Sequence, residues 1–84
     1  KRAFVAKTQK QTIEDGHSAH RLTNDTDLTR FMDEIEAEAF TLWKTSKDVE
    51  GREAAYQRVH GVNLLRQKLK SLVDNATIAQ KQIL

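Results

Sequence analysis

The sequence predicts an all-α chain: an antiparallel two-helix hairpin with a long second helix, an extended or partly helical N-terminal arm and a short C-terminal helix. Three observations lead there. Proline is absent and glycine stands only at positions 16, 51 and 61 of the 84 residues, whereas good helix formers abound. Apolar residues recur at alternating steps of four and three in two separate stretches, the period of an α-helical seam rather than of a strand. A short polar stretch, TSKDVEG, separates the two, and a short link between helices makes them antiparallel neighbours.

Residues 1–24 are thin in large apolar side chains, holding only Phe4, Val5, Ile13 and Leu22, and show no sustained helical period. Gly16 argues further against a firm helix there. This stretch reads as a basic arm, with Lys1, Arg2, Lys7 and Lys10 and no acid in its first 12 residues. Residues 25–84 form the hairpin domain.

The first firm helix begins at NDTD, where Asp25 or Thr26 supplies the N-cap and acids sit at the positive end of the helix dipole. Leu28, Met32, Ile35, Ala39 and Leu42 form its seam, widened by Phe31 and Trp43, with Phe40 at the edge. It should end near Lys44. In the turn, Thr45 and Asp48 have capping-box spacing, with Ser46 as a rival cap. The second helix should run from about Val49 to Asp74. Ala55, Val62 and Leu69 share one heptad position, and Leu65 and Leu72 the other, with Arg58 as its polar exception. Tyr56 stands near the turn, within reach of Trp43. Asp74-Asn75-Ala76 reads as a stop, Asn75 taking a left-handed cap, before a last short helix with Ile78, Ile83 and Leu84.

The two helix lengths differ. About 18 residues span ~27 Å and about 26 span ~39 Å, so the second helix overshoots the first by ~12 Å. The overshoot holds Leu69, Leu72 and Val73. These need cover from the C-terminal segment, from the arm or from another chain. Another chain is the expectation, with Ile78, Ile83 and Leu84 completing the interface. A chain this short buries only roughly 60–65% of its unfolded surface, which also favours a partner.

Net charge is +2, too small by itself to imply nucleic acid. Its distribution is uneven: residues 28–44 sum to −2, and residues 45–84 carry seven basic against four acidic residues. An acidic helix beside a basic one suits the hairpin. Cysteine is absent, which excludes a disulfide framework and a thiolate zinc site, and no stretch approaches the ~18 apolar residues of a membrane span.

Candidate chemistry is sparse. His17 and His20, with Asp15 nearby, have a spacing that suits a metal on a helix, but structural zinc wants four ligands, so no metal or cofactor is expected. Glu34, Glu36 and Glu38 are carboxylates without a cleft to shift their pKa values, and they read as a polar face. His60 reads as a surface residue. There is no Gly-rich phosphate loop, nucleophile elbow or HExxH, so no catalytic residue is expected. Arg52, Arg58, Arg66, Lys68 and Lys70 do not share one face, Arg58 and Arg66 differing by about 80°. The basic arm, Lys1, Arg2, Lys7 and Lys10, is the better candidate for touching nucleic acid or a neighbouring subunit. Phe31, Trp43 and Tyr56 read as core rather than as platforms for stacking bases.

The block AEAFTLWKTSKDVEGREAAYQRVHGVNLLRQKLKSLVDNATIA covers roughly half of the chain. It resembles a set of small, mostly uncharacterised helical-hairpin proteins of tailed bacteriophages. The shared pattern is an acidic helix ending in Trp, a Thr/Ser/Asp turn, then Arg-Glu, an aromatic residue and a Leu-Arg…Leu helix. Here these are Trp43, Thr45, Asp48, Arg52, Glu53, Tyr56, Leu65, Arg66 and Leu69. A glycine that often follows the second helix in that family is replaced here by DNAT. The resemblance implies a non-enzymatic virion structural or assembly protein, made beside head and packaging proteins and found in the virion or host cytoplasm. It implies other protein chains, virion subunits or further copies, as partners, and carries no residue-level site. The other reading is a small regulatory or packaging-accessory module that binds nucleic acid.

Overall fold

Three helices make up the computed structural model, which describes residues 7–83, with the side chain of Ile83 outside that description. They are α1 (Gln9–Thr23), α2 (Thr26–Thr45) and α3 (Val49–Ile83). The chain is therefore all-α, and α2 and α3 form the antiparallel hairpin. The finer arrangement differs from the expectation at both ends.

The helix boundaries follow local chemistry. Thr8 caps α1, its side chain accepting a hydrogen bond from the Gln11 N–H at 3.0 Å. Asp25 caps α2 through the Leu28 N–H at 2.9 Å, leaving only Asn24 and Asp25 between α1 and α2. Ser46 closes α2, its hydroxyl and its N–H both donating to the Leu42 carbonyl. Asp48 takes the start of α3, accepting from the Gly51 N–H at 2.8 Å. Of the rival caps in the turn, Asp48 serves α3 and Ser46 serves α2, while the Thr45 hydroxyl bonds back to Thr41.

Of the two expectations for the N-terminal segment, extended or partly helical, residues 9–23 take the helical one, but packed on the chain rather than as an arm. It is a helix of 15 residues laid antiparallel along the second half of α3. Gln9 donates a side-chain bond to the Ala79 carbonyl at 3.2 Å, and Gly16 lies against Leu72 and Ala76. Gly16, read from sequence as a helix breaker, is the reason this helix docks closely. A Cβ there would collide with the Ala76 Cβ and come within 2.9 Å of the Leu72 carbonyl oxygen. The fully buried residues of α1 are small, Gly16 and Ala19, and carry no large-apolar signal.

At the other end α3 does not stop at Asn75, and there is no separate C-terminal helix before Ile83. No non-glycine residue among those described has positive φ, so Asn75 makes no left-handed cap. Ala76 and Ala79 are buried in α3, and Lys70 pairs with Asp74 at 2.9 Å across the expected stop. Tertiary packing overrides the weak helix propensity of Asp and Asn, which is worth only ~0.5 kcal/mol per residue.

The overshoot of the second helix is thus covered from within the chain. α2 takes the first part of α3, α1 takes the second, and the two short helices barely touch. The core is a line: Ala55, Val62, Leu69 and Ala76 repeat every seven residues along α3, facing Met32 and Ala39 of α2 and Ala19 of α1. Most of these are alanines, so helices approach closely but little apolar volume is enclosed. The molecule measures 55 × 38 × 15 Å, the long axis matching the ~52 Å of a 35-residue helix. Its thin dimension is close to one helix with its side chains, about 10–12 Å. Its radius of gyration, 17.2 Å, exceeds the ~12 Å of a compact chain of this length. This is a single layer of helices.

Candidate functional site

A single layer has two open flanks, and these carry the features with functional potential. Relative to the buried line, residues four positions on (Glu36, Trp43, Val59, Arg66) fall on one flank and residues four positions back (Leu28, Ile35, Leu65) on the other. The accessible surface is 6872 Å², against roughly 5,100 Å² for a compact monomer of this mass.

The first flank holds an aromatic cleft near the turn. Its cavity, about 260 Å³, lies between Phe40 and Trp43 of α2 and Arg52, Tyr56 and Val59 of α3, over a floor of Ala39 and Ala55. Phe40, Trp43 and Tyr56 are 59%, 51% and 60% exposed. This corrects the expectation that Trp43 and Tyr56 belong to the core, and Phe31 is half exposed as well. Trp43 and Tyr56 share the cleft, but each stacks elsewhere. Trp43 lies on Phe40 with ring centroids 6.2 Å apart, and Tyr56 on His60 at 5.9 Å. The Lys44 ammonium stands 5.5 Å from the centre of the Phe40 ring. Sequence does hold a signal for this placement. Phe40 and Tyr56 each follow a buried alanine by one position, which turns them about 100° away from the partner helix, and Trp43 stands four positions beyond Ala39, about 40° round.

Further along this flank Arg66 bridges to α2, bonding Asp33 at 3.0 Å and Glu36 at 2.6 Å. The acidic and basic helices are thus joined by one ion-paired arginine. Beyond it, a hollow of about 450 Å³ opens where the three helices meet, with Met32, Leu69 and Val73 inside and His20, Arg66 and Lys70 at its edge. Arg66 and Lys70 already have carboxylate partners, so this hollow offers little net charge to an ionic ligand.

The expected interface residues are dispersed. Leu69 is buried by its own chain, and Leu72 and Val73 are half-buried beside α1. That removes Leu69 as a contact for another chain, because it is buried where the three helices meet. Ile78 remains open, 55% exposed, beside Gln9 and Thr12 at the start of α1. Leu84 and the Ile83 side chain lie outside the described residues, as do Lys1 and Arg2. Lys7 is drawn back onto α1, where it pairs with Asp15. That bond, with one from Gln11, holds the Asp15 carboxyl below its usual range. Lys10 is exposed on α1.

The remaining candidates for chemistry stay apart. His17 lies 3.2 Å from the Gln80 side-chain nitrogen and His20 3.2 Å from that of Asn24. Among the described residues no three His, Cys, Asp or Glu side chains converge on a metal position. Glu34 pairs with Arg30 within α2, and Glu36 with Arg66. No helix among the described residues is long and apolar enough to cross a membrane.

No protein-family model, curated protein or solved structure matches this chain.

Proposed function

We propose that the chain is a non-enzymatic docking protein that seats other protein chains against its hairpin, as a structural or assembly component of a tailed-phage particle. The observation that carries this reading is the aromatic cleft of Phe40, Trp43, Tyr56 and Arg52. Trp, Tyr and Arg dominate the energetics of protein interfaces, because they offer large contact area with a polar handle. Here they surround an open cavity at the end of the hairpin, with no side chain among the described residues filling it. The cleft is the size of one or two partner side chains. The phage setting rests on the resemblance of residues 37–79 to phage hairpin proteins. The protein would act in the virion or in the host cytoplasm during assembly.

The test is co-purification with the particle. Trp43→Ala and Tyr56→Ala, which remove exposed rings, should leave helicity intact while the protein is lost from purified virions. Retention of the double variant at the wild-type level would overturn the role of the cleft.

A second reading has a specific observation in its favour. Exposed rings flanked by Lys44 and Arg52 also suit stacking with single-stranded nucleic acid. It predicts binding to a single-stranded oligonucleotide that weakens steeply between low and moderate salt. Flat or absent binding rejects it.

A further inference from the structure

The flank opposite the aromatic cleft carries a run of apolar side chains from two helices. Leu28, Phe31, Ile35 and Leu42 of α2 lie on it beside Leu65 and Leu72 of α3, at helical positions on the same side of the buried line. Phe31, Ile35 and Leu65 are 50%, 40% and 43% exposed, and the other three are half-buried. Both helices contribute to it.

We propose that this face is covered by a second copy of the chain, in a two-fold dimer whose axis runs along the hairpin. Three features favour that occupant. A helical layer reaches a stable core by packing against a second layer, and the 15 Å thickness here supplies only one. The six side chains offer roughly 400 Å² of apolar surface per copy. Two copies, with a homodimer's apolar share of about 65%, then bury roughly 1,200 Å², enough for a specific interface. The charge pattern selects the orientation. Residues 28–44 sum to −2, and residues 45–66, which include the part of α3 level with α2, carry Lys47, Arg52, Arg58 and Arg66 against Asp48, Glu50 and Glu53, a sum of +1. An axis along the rods lays each α2 over the partner's α3, antiparallel and acid against base, whereas a crosswise axis lays acid on acid.

The arrangement also accounts for Arg58, the one charge in the leucine stripe of α3. Rotation about the long axis preserves height along the rods. It sets Glu38 of one copy, at the edge of the face, near the level of the partner's α3 where Arg58 stands. Among the described residues neither Glu38 nor Arg58 takes part in an intrachain ion pair. This face does not involve the aromatic cleft, so the dimer stands or falls separately from the proposed docking function.

Sedimentation equilibrium of the full chain tests the dimer. Wild type should sediment as twice 9.6 kDa at micromolar concentration and dissociate on dilution. Ile35→Glu with Leu65→Glu, at exposed positions, should give a monomer of unchanged helicity. Glu38→Arg and Arg58→Glu should each weaken association at least tenfold, and the double reversal should restore it. Trp43→Ala should leave the dimer intact. A wild type that stays monomeric at all concentrations, open-ended oligomers, or a dimer indifferent to Ile35→Glu and Leu65→Glu would each overturn the proposal. So would a monomer that covers this flank with lipid vesicles instead.

Discussion

Two identical substitutions at two glycines of this chain should have opposite effects. Gly16→Ala and Gly61→Ala each replace a glycine inside a helix, and each gains about 1 kcal/mol in helix propensity and lost unfolded-state freedom. At Gly61 the new methyl meets nothing within 4 Å, so the gain should appear as added stability. At Gly16 it meets the Ala76 Cβ and the Leu72 carbonyl oxygen, neither of which can rotate away. α1 and α3 must part, an overpacking cost of ~1–3 kcal/mol that also weakens neighbouring contacts. Net destabilisation of about 1–2 kcal/mol is expected, so the two variants should differ by roughly 2–3 kcal/mol. A chain of 84 residues has a total stability of about 4–12 kcal/mol, so the difference is large. Urea melts followed by helical circular dichroism, on dilute samples, measure it from the midpoints at constant slope. In thermal melts each kcal/mol should move Tm by about 4–8 °C. If Gly16→Ala stabilises as much as Gly61→Ala, α1 is not seated on α3 through Gly16, and the self-covered overshoot is wrong.

Three more outcomes follow from the packing and charges. Leu69→Ala removes the largest aliphatic side chain of the buried line, and should cost ~2–5 kcal/mol in the same melts, close to unfolding the chain. Arg66→Met removes the bridge to Asp33 and Glu36, and should cost about 1 kcal/mol at low salt and less at high salt, since the guanidinium is a third exposed. Asp15 has a folded pKa lowered by Lys7 and Gln11. Its contribution is therefore present above the ordinary carboxylate value of about 3.9 and is lost as pH falls through the lower folded value. Urea midpoints at about pH 5 and about pH 3 should differ less in Asp15→Asn than in wild type. An unchanged difference would mean that Lys7 and Gln11 do not hold this carboxylate in solution.

Sequence carried the hairpin well and the rest of the layer poorly, for physical reasons that particular residues display. Asp25, Ser46 and Asp48 act at the helix ends where short polar side chains are expected, because capping is a local interaction. The seven-residue repeat through Ala55, Val62 and Leu69 is the buried line, because helical periodicity is local too. α1 was hidden, since its docking face is Gly16 and Ala19. Small residues signal close approach only when the partner is known, here Leu72 and Ala76, which lie 56 and 60 positions beyond Gly16. Asn75 failed as a stop for the same reason: Ala76 and Ala79 gain cover from α1. The exposed cleft is hidden in the sequence because Trp43 and Tyr56 are apolar in type and read, with Phe31, as core. Periodicity gives the side of the helix they occupy, but not whether anything lies there.

The central claim is that the aromatic cleft at the hairpin end is occupied by another protein chain in the assembled particle. Photo-crosslinking from position 56 measures this most directly: Tyr56 is replaced by a benzophenone amino acid, particles are purified and irradiated, and the adducts are identified. The account predicts one dominant adduct with a structural subunit of the particle, absent when the probe stands at exposed Lys10 instead. Adducts with nucleic acid alone, or equal yields from both positions, would contradict it.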